Sequence, residues 1–472
     1  MGMGRMRRPN LLILHTDQQR WDALGANGNS EIRTPHLDSL AAEGVSFQRH
    51  FVQNPVCMPS RVSFLTGRYP SSLGITHMGV PVPADTPTLP RLLHNYGYTS
   101  ANIGKLHFLP HANRDHRAVH PDYGFDHLEI SDEPGCYPDA YRAWVAAKAP
   151  DQLDRISVGL PPATAVWQRA MGVRDGIRHP AERFERRALA FPGRSDLTHA
   201  AFVAEQTIEF LRGHRDRPFL CIAGFYSPHS PWVAPQEFLD LYDPEALTIP
   251  RYPPEVQARR EAQGLCPEAE LRSARQGYYA MVSEVDHHVG RILRALDGTG
   301  LREDTVVVFT SDHGEWLGEH LRYGKGYPGP DGVTRVPLLV RWPAGLAAPG
   351  RTTVGIAEAV DVVPTLLECA GIPLPEELQG RSLLPALRNE PWAGRASALV
   401  EHRGWKGIRT ERHRYLFEAG GRESLFDLEA DAGEYVNVAA EPAYADTLAA
   451  ARAELLRHLL DAERPLPRTW PY

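Results

Sequence analysis

Three short clusters carry side chains able to act together. Cys57 opens the run Cys57-Met58-Pro59-Ser60-Arg61 at the start of an apolar segment. Pro59 fits the first turn of a helix, where its missing N–H costs nothing. The unpaired N–H groups and the dipole of such a start favour an anion, such as a sulfate or phosphate ester. Arg61 adds a planar, permanent positive charge beside it. Asp17-Gln18 and Asp312-His313 each follow an apolar run. Three oxygen-bearing side chains and one imidazole make a site for a divalent cation. Oxygen ligands favour Ca²⁺ or Mg²⁺, and the histidine moves the preference toward Mn²⁺. Taken singly, each acidic pair reads better as a helix cap or a turn.

The lysines sharpen this picture. Lys and Arg together number 51, yet only Lys105, Lys148, Lys325 and Lys406 are lysines. A lysine kept against that bias suits a place where a compact, flexible ammonium is needed and a guanidinium does not fit. Chance retention explains any one of them equally well.

The elements that must position these groups can be read from periodicity. Residues 11–14 (Leu-Leu-Ile-Leu) and 305–310 (Thr-Val-Val-Val-Phe-Thr) are buried-strand runs, as are 97–103 and 219–225. A helix is expected near residues 35–43 and a longer one over 276–296, where Met281, Val285, Val289, Ile292 and Leu296 recur at helical spacing. Alternating strands and helices imply an α/β fold: a large, mostly parallel sheet sandwiched by helices. Ligands collect at the carboxyl ends of such strands, so both acidic pairs face one crevice. Residues 110–197 are weakly periodic and rich in His, Arg, Pro and Asp, and are expected as insertions over that crevice. Arg174, Arg178, Arg183, Arg186, Arg187 and Arg194 there either meet an anionic substrate or form a solvated face with Asp175, Glu182 and Glu185. Past Arg381 short β-like pieces and a helix over 442–462 predict a smaller α+β subdomain. The expected division is a catalytic domain over 1–385 and a C-terminal subdomain over 386–472.

The net charge of −7 argues against a nucleic-acid or acidic-membrane binder. No run of 18 apolar residues exists, so no span of a membrane is expected. Five scattered cysteines, without a C-x-x-C pair and without an Asn-x-Ser/Thr sequon in the chain, point to a reduced, cytoplasmic location. The Trp470-Pro471-Tyr472 tail offers a contact for a homo-oligomer.

From Cys57 to Arg68 the chain matches every fixed position of the pattern C-x-P-S-R-x-x-x-L-T-G-R, and so resembles the sulfatase family. Gly104-Lys105-Leu106-His107 is similar to that family's G-K-x-H segment, and Pro228-His229-Ser230-Pro231 to its P-H-x-P segment. Lys325 sits where the family places a second site lysine, and Gln379-Gly380-Arg381-Ser382-Leu383 resembles the segment closing its core. The resemblance implies an alkaline-phosphatase-like core and a formylglycine made from Cys57 by a separate maturation enzyme. It implies a divalent cation held by Asp17, Gln18, Asp312, His313 and residue 57. Arg61 and Lys105 would hold and activate the formylglycine hydrate, and His229 and Lys325 would grip the sulfate, either of them protonating the leaving oxygen. His107 would deprotonate the hydrate so that sulfate departs. Trp232 and Trp316 wall the pocket or pack in the core. Gln18 and His313 depart from the commoner Asp and Asn, a combination that also resembles phosphonate monoester hydrolases and choline sulfatases. Hydrolysis of a sulfate monoester is therefore the leading expectation, and a phosphonate monoester or phosphodiester hydrolase with sulfatase activity is the alternative.

Overall fold

The computed structural model describes residues 8–112, 114–180 and 186–463; Arg183, Glu182, Glu185 and the Trp470–Tyr472 tail lie outside them. Eight strands form the main sheet in the order Arg351–Glu358, Val45–Phe51, Leu338–Arg341, Thr305–Ser311, Asn10–Thr16, Phe219–Gly224, Thr99–Gly104 and His127–Ile130. Only Leu338–Arg341 runs antiparallel to its neighbours. The central strands are apolar throughout because both faces are covered. Leu11, Ile13, Val306 and Val308 pack on one face with Met58, Val62 and Leu65 of the helix Cys57–Thr66. Leu12, Leu14, Val307 and Phe309 point to the other face. There they meet Val203 from the helix His199–Gly213 and Val285, Val289 and Ile292 from the helix Glu268–Gly298. That second helix starts eight residues before the periodic stretch, because its first two turns are polar and half-exposed.

The segment 110–197 is more regular than its sequence suggests. It supplies the edge strand His127–Ile130 and the helices Ala140–Lys148 and Pro162–Met171. An edge strand has only one paired side and carries polar residues, which hides it among the surrounding charges.

Beyond the main sheet, four antiparallel strands span Ser397–His402, Trp405–Thr410, His413–Glu418 and Glu423–Asp427. The helix Ala445–Ala462 lays Leu448, Ala451 and Leu455 on this sheet, in one core with Tyr69 and Val360 of the larger part. Glu401 N–H donates to Gln53 O at 2.8 Å and its carbonyl accepts from Asn54 Nδ2 at 2.6 Å, so the smaller sheet braces the loop leading into Cys57.

Candidate active site

Register places the site. Thr16 pairs with Ser311, His15 with Gly224, and Gly104 with Gly224. Four adjacent strands therefore end together and release Asp312-His313, Asp17-Gln18, the 225–230 loop with His229, and Lys105 into one crevice. The helix Cys57–Thr66 points its first residue at these ends, and all ten of its residues are buried.

Asp17, Cys57, Asp312 and His313 offer ligand atoms that all lie within 4.8 Å of one another. His313 Nδ1 bonds Gly314 O at 2.8 Å, which turns the lone pair of Nε2 toward Cys57 Sγ at 3.1 Å. Burial pushes the His313 imidazole down to about 4, so it stands neutral, as a ligand must. Gln18 bends into the cluster with a left-handed φ of 72°. Its N–H donates to Asp312 Oδ1 at 3.0 Å and its side-chain amide donates to Glu315. Gln18 Oε1 is then a buried acceptor without a partner among the described residues. An orphaned carbonyl oxygen beside two carboxylates and an imidazole fits a divalent cation.

Cations surround the cluster. Lys105 Nζ lies 2.6 Å from Asp17 Oδ2 and 3.7 Å from Glu133 Oε1, the first a charge contact rather than an aligned hydrogen bond. Burial works against its charge, and Asp17 and Glu133 restore it. Asp17, although buried, is held well below the usual carboxylate range by Lys105 above all. Lys325 Nζ reaches Cys57 Sγ at 2.6 Å and His229 Nε2 at 2.9 Å. His229 Nδ1 bonds Ser230 O at 2.5 Å, so its Nε2 accepts from Lys325. Burial and Lys325 hold His229 neutral. As a plain thiol Cys57 is pushed up to about 12 by burial and by Asp17, the reverse of an activated cysteine nucleophile. The other two lysines form ordinary pairs, Lys148 with Glu205 and Lys406 with Glu401.

Arg61 lies in the same cluster, 3.8 Å from Asp17 Oδ2 through Nη2. Nε bonds Asp312 Oδ2 at 2.6 Å, Nη1 bonds Lys105 O at 3.1 Å and Nη2 bonds Thr16 O at 3.4 Å. It clasps three strand ends together.

A family comparison agrees with this geometry. The family model described as Sulfatase matches residues 9–372, and one described as N-sulphoglucosamine sulphohydrolase, C-terminal, matches 318–461. The chain belongs to the sulfatase family. The activity that goes with membership is hydrolysis of sulfuric esters. An arylsulfatase of Clostridium perfringens is 30% identical, covering 96% of this chain and 94% of its own. A choline-sulfatase of Rhizobium meliloti is 28% identical, covering 92% and 83%. The solved phosphonate monoester hydrolase of Agrobacterium radiobacter superposes with a TM-score of 0.81 at 27% identity, over 96% of each chain.

Three carboxylates of this sulfatase site escaped the sequence reading. Asp132 and Glu133 follow the edge strand His127–Ile130. Asp132 Oδ1 accepts from the N–H groups of Leu106 and His107 at 3.0 and 2.8 Å, fixing His107 at a φ of 55°. Both nitrogens of the His107 ring lack partners among the described residues, and its ring lies 4.4 Å from that of His111. Burial, then His111 and Lys105, keep it neutral. Glu315 is wholly buried and also accepts from Leu317 N–H at 3.1 Å and from Gly324 N–H, next to Lys325. Trp232 lines the cavity beside His229 and Lys325, whereas buried Trp316 packs 5.2 Å from His320. No described helix is long and apolar enough to cross a membrane.

Proposed function

We propose that the sulfatase cleaves its ester at residue 57 after a separate enzyme has converted Cys57 to formylglycine. Asp17, Gln18, Asp312, His313 and the side chain at 57 would hold one divalent cation, with Ca²⁺ favoured by the oxygens and Mn²⁺ or Mg²⁺ also suited. When present, the hydrated aldehyde supplies two hydroxyls on one carbon, and the cation supplies positive charge beside them. The observation that carries this reading is the meeting of Cys57 with both carboxylates, His313 and Lys325 Nζ at the ends of four strands.

The remaining roles belong to the chain's own side chains. Lys105 balances Asp17 and keeps positive charge beside residue 57. Lys325 stands between residue 57 and His229, where the oxygens of a transferred sulfuryl group need a donor. Because His229 Nε2 accepts, the proton of this pair resides on Lys325 Nζ, which we assign as the donor to the leaving oxygen. His229 aims that ammonium. His107, neutral and without a partner among the described residues, is the base that takes a proton at residue 57 when sulfate is released. Arg61 positions the strand ends rather than touching the ester. No disulfide joins any two of the five cysteines, which supports a reduced, cytoplasmic setting.

Mass analysis of the Cys57 peptide tests the reading: loss of the thiol and gain of an aldehyde is expected in active protein. Cys57→Ala retaining full turnover of an aryl sulfate would overturn it.

A second reading has its own support. An amide at residue 18 leaves the cluster one negative charge short of a site with Asp there, and a phosphonate monoester hydrolase superposes closely. Phosphonate monoesters are thus the substrates to set beside sulfates.

A further inference from the structure

Beside His229 and Lys325 a cavity of about 330 Å³ opens to solvent. It adjoins the Lys325–His229 pair. Two aromatic rings make its corner: the centroids of Trp232 and Tyr323 lie 5.7 Å apart at 58°. Trp232 is buried and fixed, so the corner exists before any ligand arrives. The guanidinium of Arg186 stands 5.1 Å from the centre of the Tyr323 ring. No Asp or Glu lines the cavity among the described residues, while Arg186 and Lys325 both do.

This combination selects a chemistry. Aromatic lining favours a flat, apolar ring, which buries area against it at little entropic cost. A quaternary ammonium alcohol would also be drawn to aromatic faces. Here Arg186 already occupies the face of Tyr323, and Lys325 adds a second like charge. An ammonium would meet repulsion from both, with no carboxylate among the described lining residues to offset it. Among the described residues the acid paired with Arg186 is Glu270, 3.9 Å away, the two side chains being 57% and 30% exposed. Such a pair is weak, and the planar fork of Arg186 can turn to a carboxylate on a ligand.

We propose that this cavity receives the alcohol part of the ester and selects an aryl alcohol carrying an anionic substituent. The ring lies beside Tyr323 at the Trp232–Tyr323 corner and the anion meets Arg186. The inference rests on the reading that the ester is cleaved at residue 57. No new covalent step is added: water cleaves the ester, sulfate leaves, and the phenol departs through this cavity.

The test compares 4-carboxyphenyl sulfate with its neutral amide, 4-carbamoylphenyl sulfate, and with choline sulfate. The expected order is carboxylate over amide by about tenfold in kcat/KM, the value of one charge-assisted hydrogen bond, with choline sulfate poorest. Arg186→Gln should bring the carboxylate-to-amide ratio to about one. Equal rates for the two aryl sulfates, or choline sulfate preferred, overturns the proposal. Binding of the product 4-hydroxybenzoate, followed by calorimetry, probes the cavity even in protein that turns over nothing. Binding weakened about tenfold by Arg186→Gln upholds the subsite when cleavage at residue 57 fails. Binding absent, or indifferent to that change, overturns the subsite alone.

Discussion

The side-chain amide of Gln18 donates to the buried carboxylate of Glu315, and this contact turns Gln18 Oε1 away to stand without a partner. The same carboxylate accepts from Gly324 N–H, one residue before Lys325. One buried acid therefore sets both the oxygen offered to a cation and the loop that carries Lys325. A second carboxylate at position 18 would face Glu315 directly. Gln18→Asp alone should destabilise the fold by about 3 kcal/mol at pH 8, as an uncompensated buried charge does. Adding Glu315→Gln should restore about half or more of that loss, a coupling that a denaturation double-mutant cycle reads directly.

Arg61 bonds Asp312, Lys105 O and Thr16 O through three different nitrogens. A lysine's compact ammonium lacks the spread of the planar fork and cannot reach all three acceptors as Arg61 does. Arg61→Lys should lower kcat/KM by about 100-fold and cost about 2 kcal/mol of stability by urea denaturation, since buried acceptors lose their partners. Full activity in the variant would show that the clasp has no role.

The orphaned Gln18 Oε1 and the neutral His313 imply that a bound cation stabilises the native state. Chelator-treated protein should gain about 2.7 kcal/mol of unfolding free energy when Ca²⁺ or Mn²⁺ is added at a hundredfold excess over its Kd. His313→Ala should remove most of that gain. A melting temperature unmoved by either ion would contradict the ligand set.

Buried His50 lies in the strand Val45–Phe51 with neither ring nitrogen bonded among the described residues. Burial lowers it to about 4, against the opposing charge of Asp361. Its folded value is below its unfolded value, so its contribution to stability is present above pH 6.5. That contribution is lost as pH falls from 6.5 toward 4, because the unfolded chain binds the extra proton. The urea midpoint should drop over that window. In His50→Leu the slope of stability against pH should be shallower by about 1.4 kcal/mol per unit, one proton's worth.

Much of this site is legible in the sequence because strand ends and helix starts have local signatures. Cys57 and Pro59 announce the helix, and the apolar runs before Asp17 and Asp312 announce the two central strands. Asp132 and Glu133 also follow a strand, with the same acidic-pair pattern as Asp17-Gln18, but that strand is a polar edge and gives no apolar run. Glu315 shows a different limit. It sits three residues after Asp312, yet its partner Gln18 is 297 residues away in the chain, and no spacing rule connects them. Type and neighbourhood mark Arg61 as a site cation, and only the sheet register reveals that its nitrogens are taken up by three strand ends.

The most direct test of the central claim is kcat/KM on an aryl sulfate and on an aryl phosphonate monoester. Both should be measured on one preparation whose aldehyde content at residue 57 is known. The account predicts that rate scales with aldehyde content and that the sulfate is preferred. A preference for the phosphonate would make Gln18 and His313 reporters of a different substrate charge, and turnover independent of the aldehyde would remove residue 57 from the chemistry.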